Sequence, residues 1–445
     1  MLAKTKVDSE LPKNIIISHV YSSDNKGDAA LTSVLIRDIK RTFPGASLTI
    51  LTLDAVTGKS KFEGVPEKPS FMYCALSKYR NPVVKLGYTL YMTGATLAWA
   101  VGQRIGGLQL YLPAHLRAVA QLYAKADLVV PVGGGYIRSR NGLMNRLNIP
   151  LLLHPLLFGY LLGKPTVLYS QSVGPFQNGF EKWLVRLVLS RMTLILLREN
   201  TSLTLLASLG VTRNTTRAID SGFLLQSRQQ VDIRSQYHIP PGRLLVGVTV
   251  RAWLTGAAQT AYEKAVAAAL DNLVKTAAAH IVFIPQVTAK GDDDRVVNRR
   301  VHAFMHHRDR AIVIEDAPDH HRIKAIYDNL DILLGTRFHS VIFSLTSYVP
   351  VLAIEYEHKT SGIMHDLKLD AWVIKIEDVT GPKLIELLQK LVQEQTAYLE
   401  HLHIHLPPYL RQAKQAANLL AAAYYGAISQ AAAEPKPLPR NQSSI

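Results

Sequence analysis

Residues 333–343 read LLGTRFHSVIF, a run of core-forming residues with an arginine and a histidine set into it. The spacing predicts a strand over 330–334, a tight turn at Gly335 and Thr336, and a helix that starts near Arg337 and runs on through Val341, Ile342 and Leu345. A strand passing directly into a helix is the unit from which layered α/β folds are built. It also puts Arg337 and His339 at the carboxyl edge of a strand and at a helix N-terminus, where free N–H groups and the helix dipole attract anions.

The same unit recurs along the chain. Short Val-, Ile- and Leu-rich runs at 14–20, 48–53, 127–132, 166–171, 193–197, 244–250, 280–285, 311–316, 330–335, 349–356 and 372–376 alternate with helix-period stretches. These runs are nearly continuous in apolar residues, so both faces of each strand are expected to be covered, which means parallel sheets flanked by helices. Eleven strands overfill one sheet. The polar segment 226–243, which contains Pro240, Pro241 and Gly242, separates two such series. The expected architecture is therefore two Rossmann-like α/β domains, 1–228 and 229–405, with a cleft between them. An Ala/Leu-rich helix over 406–428 is expected to cross back onto the first domain, and the Pro-rich remainder, 429–445, to be disordered.

Composition narrows the class. With 445 residues, 48% hydrophobic and 19% charged, the chain is a multidomain globular protein. Its single cysteine, Cys74, excludes a disulfide framework and suits a reducing, cytoplasmic compartment. The N-terminal MLAKTKVDSELPKN has no apolar core of a secretory signal. A formal charge of +16 concentrates anions near the surface. The cations are dispersed and not interleaved with aromatic residues, which argues against nucleic acid as the partner. Residues 86–103 carry no charge, but Gly, Thr and Gln dilute their hydropathy. That segment is expected to pack against its own domain in preference to touching a membrane.

Candidate site residues follow strand ends. Gly27 and Asp28 lie where the first strand hands over to a helix. Gly27 allows close approach of a ligand to the backbone, and Asp28 either accepts from a hydroxyl or caps the helix. Gly133, Gly134 and Gly135 follow the third strand and leave no side chains in a ligand's way, without the spacing of a P-loop or of G-x-G-x-x-G. Gln171 ends the next strand. In the second half Arg251 follows the strand 244–250, and Arg337 and His339 follow 330–335. Lys359 comes after the next strand. Two guanidiniums on one edge suit a ligand with two anionic groups, and a histidine beside them can move protons. The remaining histidines lack partner carboxylates or cysteines, so no metal centre is expected.

The ordered set NKGDAAL, DLVVPVGGG, QSVGPF, LREN-S, DSGF and GTRFHSVIFSLTSYVPVLAIEYEHK, from 14 to about 370, resembles the polysaccharide pyruvyltransferase family. The resemblance implies a GT-B-like two-domain fold and transfer of the enolpyruvyl group of phosphoenolpyruvate onto two sugar hydroxyls, making a cyclic ketal on an exopolysaccharide or cell-wall precursor. It implies that Arg337, His339 and Arg251 hold phosphoenolpyruvate, and that Gly27, Asp28 and the glycines 133–135 face the saccharide acceptor. His339 is then the expected acid and Asp28 the group that accepts a hydroxyl proton, with no cofactor. A lipid-linked acceptor and the surplus positive charge would bring the enzyme to the inner face of the cell membrane. Two other functions fit the same elements: a GT-B glycosyltransferase that uses a nucleotide sugar, and a non-catalytic module that binds acidic glycan.

Overall fold

The computed structural model describes residues 11–53, 61–62, 64–105, 110–139 and 147–433. The first half carries β1 (Asn14–Val20), β2 (Ser47–Thr52), β3 (Glu67–Pro69), β4 (Leu128–Pro131), β5 (Gly134–Ile137), β6 (Val167–Val173), β7 (Leu194–Leu197) and β8 (Thr215–Arg217). They pair in the orders β3-β2-β1-β4 and β5-β6-β7-β8, all parallel. A parallel bridge from Val129 to Thr166 joins β4 to the start of β6, so the two ladders form one twisted layer. Every residue of β6 is buried, as its unbroken apolar run requires once helices cover both faces.

The second half carries β9 (Leu245–Thr249), β10 (His280–Phe283), a small hairpin of β11 (Thr288–Ala289) and β12 (Asp292–Asp293), β13 (Ala311–Val313), β14 (Ile332–Gly335), β15 (Val351–Glu355) and β16 (Val373–Lys375). Its sheet has the order β13-β10-β9-β14-β15-β16 and is parallel throughout. The sequence expects two parallel α/β halves, and the structure has them. In each half the strand order reverses at the first strand, β1 or β9, and the loops beside that reversal form the crevice where such sheets bind ligands.

The halves meet through backbone as well as side chains. Lys26 N–H donates to Gln286 O at 3.0 Å and Thr288 N–H donates to Asp24 O at 3.0 Å, stitching the loop after β1 to the loop after β10. Ser33 on the helix Lys26–Thr42 is hydrogen-bonded to His320 of the second half at 2.6 Å. Ala30 and Val34 of that helix pack into the core of the second half, and so do Ile219, Phe223 and Leu224, which precede the polar segment taken as the boundary.

One expectation about the helices changes, and another is met on one face only. The crossing helix is not 406–428 but one continuous helix, Gln395–Ala433, with Pro407 and Pro408 inside it. The Pro pair reads as a helix start because proline supplies no N–H, yet apolar contacts on both sides of it hold the helix together. Tyr398, Leu402 and Leu406 pack in the core of the second half, and Ala416, Leu420 and Tyr424 in that of the first. This helix includes the first residues of the tail expected to be disordered, 429–433, while 434–445 lie outside the described residues. The uncharged stretch 86–103 forms most of the helix Pro82–Ile105, and only one face of it packs inward. Among the described residues no helix is long and apolar enough to cross a membrane.

Candidate active site

The loop after β1 is shaped by Asn25, whose Oδ1 accepts from Gly27 N–H at 3.1 Å and Asp28 N–H at 3.4 Å and so caps the helix Lys26–Thr42. Because Asn25 does the capping, the Asp28 carboxyl is left facing the cleft, with no hydrogen bond from a described residue. Gly27 lies flat against the His339 ring: a Cβ there would stand 2.0 Å from Nδ1. Any larger residue at 27 would push the imidazole out of place.

Across the cleft, Arg337 is the N-cap residue of the helix Phe338–Thr346, and Thr249 Oγ1 accepts from Thr336 N–H at 3.0 Å and Arg337 N–H at 3.4 Å. The Arg337 fork is engaged within the protein itself. Its Nε lies 3.0 Å and its NH2 2.5 Å from Asp294 Oδ1, and NH2 also donates to Asp292 Oδ1 at 2.8 Å. A nearly buried guanidinium needs carboxylates of its own, and the loop from β11 to the next helix supplies them. Arg251 is freer: its NH2 is 3.8 Å from Asp292, and its guanidinium lies 4.9 Å from the Trp253 ring and 4.7 Å from that of Tyr356. Burial works against the Asp292 carboxyl, but Arg337 beside it holds it below the usual carboxylate range.

His339, Lys359 and Arg198 complete the wall. His339 lies between Gly27 and Gly222, and its buried Nε2 has no hydrogen-bond partner. Burial lowers its pKa to about 4, with Asp220 opposing and Arg198 and Lys359 reinforcing. Burial raises Asp28 to about 6 against the pull of Arg198 and Lys359. Near neutral pH the imidazole is therefore uncharged, and the Asp28 carboxyl lies within about a pH unit of its titration point. Lys359 Nζ lies 3.3 Å from Glu357 Oε2, and Glu357 also accepts from Arg138 NH1 at 2.5 Å. Burial first, then Arg198, lowers the pKa of Lys359. Arg198 is held by Asp220 at 2.5 Å and Ser172 Oγ at 2.6 Å, with its guanidinium over the Phe338 ring.

Asp28, Gly135, Arg138, Arg198, Arg251, Arg337, His339 and Lys359 thus line one cavity of about 290 Å³ between the halves, with Tyr136, Asp292 and Glu357 among its other walls. The structure separates the three glycines. Gly135 lines the cavity, where a Cβ would meet Lys359 Nζ at 2.4 Å. Gly133 is instead required by close strand packing, since a Cβ there would strike the carbonyl oxygens of Tyr169 and Ser170 at 2.5 and 2.6 Å. Gly134 lies outside the cavity lining and lends its carbonyl to Gln171. Gln171 is not a ligand-facing residue: it is fully buried, and its Nε2 donates to Gly134 O at 2.7 Å and Ser172 O at 3.0 Å, joining β5 to β6. Among the described residues no group of three or more His, Cys, Asp or Glu is placed to hold a metal ion.

The profile of the polysaccharide pyruvyl transferase family matches residues 25–358, a span that contains Asp28, Arg138, Arg198, Arg251, Arg337 and His339 of this cleft and stops one residue short of Lys359. The chain belongs to that family. As a polysaccharide pyruvyltransferase it is 26% identical over 291 residues to the amylovoran biosynthesis protein AmsJ of Erwinia amylovora, covering 62% of this chain and 68% of that one. The pyruvyltransferase also superposes on solved structures of GT-B fold. The UDP co-structure of S. aureus MnaA aligns at TM-score 0.59 and 11% identity, over 96% of this chain and 100% of that one. UDP-GlcNAc 2-epimerase from Neisseria meningitidis bound to UDP-GlcNAc aligns at TM-score 0.56 and 10% identity, over 93% and 99% of the two chains. At that identity the likeness fixes the GT-B arrangement of the pyruvyltransferase and nothing finer.

Proposed function

We propose that the enzyme moves the enolpyruvyl group of phosphoenolpyruvate onto two hydroxyls of a saccharide, forming a cyclic pyruvate ketal and releasing inorganic phosphate. The observation that carries this reading is the meeting, in one cavity, of an unengaged Asp28 carboxyl from the first half with His339, Lys359 and the ring-stacked Arg251 from the second. A donor with a carboxylate and a phosphate finds lysine and guanidinium partners there, and an acceptor hydroxyl finds a carboxyl. In our reading the donor's anionic groups sit on Arg251, Lys359 and Arg138, and Arg337, whose fork Asp294 already holds, adds only the NH2 that faces Asp292. In this reading a donor anion takes the place of Asp292 between Arg251 and Arg337.

The reaction proceeds in two stages, an addition across the double bond and then a displacement of phosphate. A proton added to the methylene carbon makes C2 oxocarbenium-like, and the first sugar hydroxyl bonds to it, losing its proton. The C2–O bond to phosphate then breaks, and the second hydroxyl closes the ketal, its proton leaving with phosphate. His339 supplies the first proton and Asp28 accepts from the hydroxyl. His339 is uncharged near neutral pH, so it takes up its proton together with the donor, whose negative charge offsets the cost of burial and the push of Arg198 and Lys359. Titration calorimetry in buffers of different ionisation enthalpy is expected to show proton uptake on phosphoenolpyruvate binding near pH 7, and a His339→Gln variant to lose it along with turnover. Binding without uptake, or turnover retained in His339→Gln, removes His339 from the acid role.

We place the enzyme in the cytoplasm, where phosphoenolpyruvate is made, acting on a saccharide carried by lipid. Incubation with isotopically labelled phosphoenolpyruvate and an oligosaccharide acceptor tests the whole: phosphate release in step with label entering the glycan is expected. A strict requirement for a nucleotide sugar would transfer the assignment to a glycosyltransferase.

A further inference from the structure

The helix Pro82–Ile105 is apolar on its outer face as well as its inner one, unlike a surface helix of a water-exposed domain. Its inward face buries Thr89, Met92, Thr96, Trp99 and Ala100, two of them hydroxylated. Its outward face shows aliphatic residues at helical spacing: Val83 is 75% exposed, Leu90 58% and Ile105 72%, with Leu86 and Val101 between them. Tyr91 and Tyr111 extend the same surface, Tyr111 at 79% exposure. Soluble monomers seldom leave so continuous an apolar stripe uncovered, and such stripes mark interaction surfaces.

The charge around the stripe identifies what covers it. From Lys68 to Ala126 the sequence has no aspartate or glutamate, while Lys78, Arg80, Arg104 and Arg117 flank the apolar face. Several of these cations are braced on aromatic rings: Lys78 Nζ lies 4.7 Å from the Tyr88 centroid, Arg117 5.0 Å from Tyr111 and Arg104 6.0 Å from Tyr160. A second copy of the chain seated face to face would bring this acid-free rim against itself, lysine to arginine. An anionic bilayer offers the opposite charge at the rim and hydrocarbon at the centre.

We propose that this face is a membrane-docking surface: the helix Pro82–Ile105 lies in the interface of a bilayer bearing anionic lipid, with its aliphatic stripe in the acyl boundary and its cations at the headgroups. The helix Asn148–Leu161 lies between this surface and the cleft. At one point His154 is hydrogen-bonded to Thr96 Oγ1 at 2.8 Å, and at the helix start Asn148 Nδ2 donates to Arg138 O at 3.1 Å. Docking therefore holds the acceptor side of the cleft within one helix of the lipid. That consequence rests on the proposed reaction, whereas the docking itself does not.

Flotation of the full-length protein with phosphatidylcholine vesicles, with and without phosphatidylglycerol, tests docking in the absence of donor and acceptor, so its outcome is independent of the transfer reaction. Binding to the anionic vesicles is expected, with affinity falling roughly fivefold for each rim cation removed, as in Arg104→Gln. Leu90→Glu is expected to abolish binding while leaving the far-UV circular dichroism unchanged. No binding of the wild-type chain to anionic vesicles overturns the proposal, and so does binding that is indifferent to both Arg104→Gln and Leu90→Glu. A wild-type dimer in sedimentation velocity that Leu90→Glu converts to monomer also overturns it, and gives the face to a second copy.

Discussion

Asp292 and Asp294 decide how the cleft handles charge. Asp294 is almost fully buried and holds the Arg337 fork, whereas Asp292 is half exposed on its hairpin and bridges toward both Arg337 and Arg251. Replacing Arg337 by alanine leaves a buried carboxylate without its cation, and breaking such a pair costs about 3–5 kcal/mol. Arg337→Ala is therefore expected to lower the denaturant midpoint markedly as well as weaken donor binding, and an unchanged midpoint would mean that Asp294 finds another partner. Asp292→Asn is expected to act in the opposite direction on binding. With the competing carboxylate removed, KM for phosphoenolpyruvate should fall several-fold in steady-state kinetics, and a rise would show that Asp292 orients the arginines instead. The strand-end rule located Asp28, Gly135, Arg251, Arg337, His339 and Lys359 from sequence, because parallel sheets force such residues to one edge. It also pointed to Gln171, Gly133 and Gly134, which the structure assigns to strand packing, since the rule finds the edge but not which way a side chain turns there. Arg138 follows the strand Gly134–Ile137 directly and the same rule would have found it. Asp294 was out of reach, because its partner comes from 43 residues away and nothing local marks the pair.

Among the elements, the helix Gln395–Ala433 and the helix Pro82–Ile105 are both visible in the sequence as long apolar-rich stretches, and in both the sequence leaves part of the apolar surface unassigned. Periodicity reports that a helix has an apolar face but not what that face meets. For the first, the Pro407-Pro408 pair looked like a beginning, when packing on either side carries the helix through it. For the second, the expected packing against its own domain is there on one face, with Met92, Trp99 and Ala100 in the core, while Val83, Leu90 and Ile105 point outward. Leu420 tests the role of the first helix: it is fully buried against the sheet of the first half, 25 residues beyond the helix start. Leu420→Ala is expected to cost about 2–5 kcal/mol in chemical denaturation, the range for a leucine truncated in a packed core. A loss below 1 kcal/mol would mean that the distal half of the helix detaches without consequence.

At the scale of the whole molecule, four imidazoles set the response to acid. His19, His154, His320 and His339 are each lowered to about 4, burial being the largest cause for all of them. In the unfolded chain each titrates near 6.5, so between pH 6.5 and 4 the unfolded state binds the extra protons and stability falls as pH falls. Asp28 works the other way: its folded value of about 6 lies above its unfolded 3.8, so the native state takes that proton and gains stability below pH 6. Four groups outweigh one. The unfolding free energy is expected to decline from pH 7 to pH 5 by about 1.4 kcal/mol per pH unit for each unmatched proton, measurable by urea titration at several pH values. A flat profile would show that these rings titrate normally. The two-domain plan itself was legible, because two series of buried strands with a polar interruption leave few alternatives. How tightly the halves are joined was not legible, because the joining bonds are backbone pairs between loops more than 250 residues apart. With one 39-residue rod embedded in both cores, neither half can come apart without baring the other. Heating should accordingly yield a single calorimetric peak where two separable lobes would give a pair, and substrate entry must proceed by small rocking motions about a fixed strut, not by wide opening of a jaw.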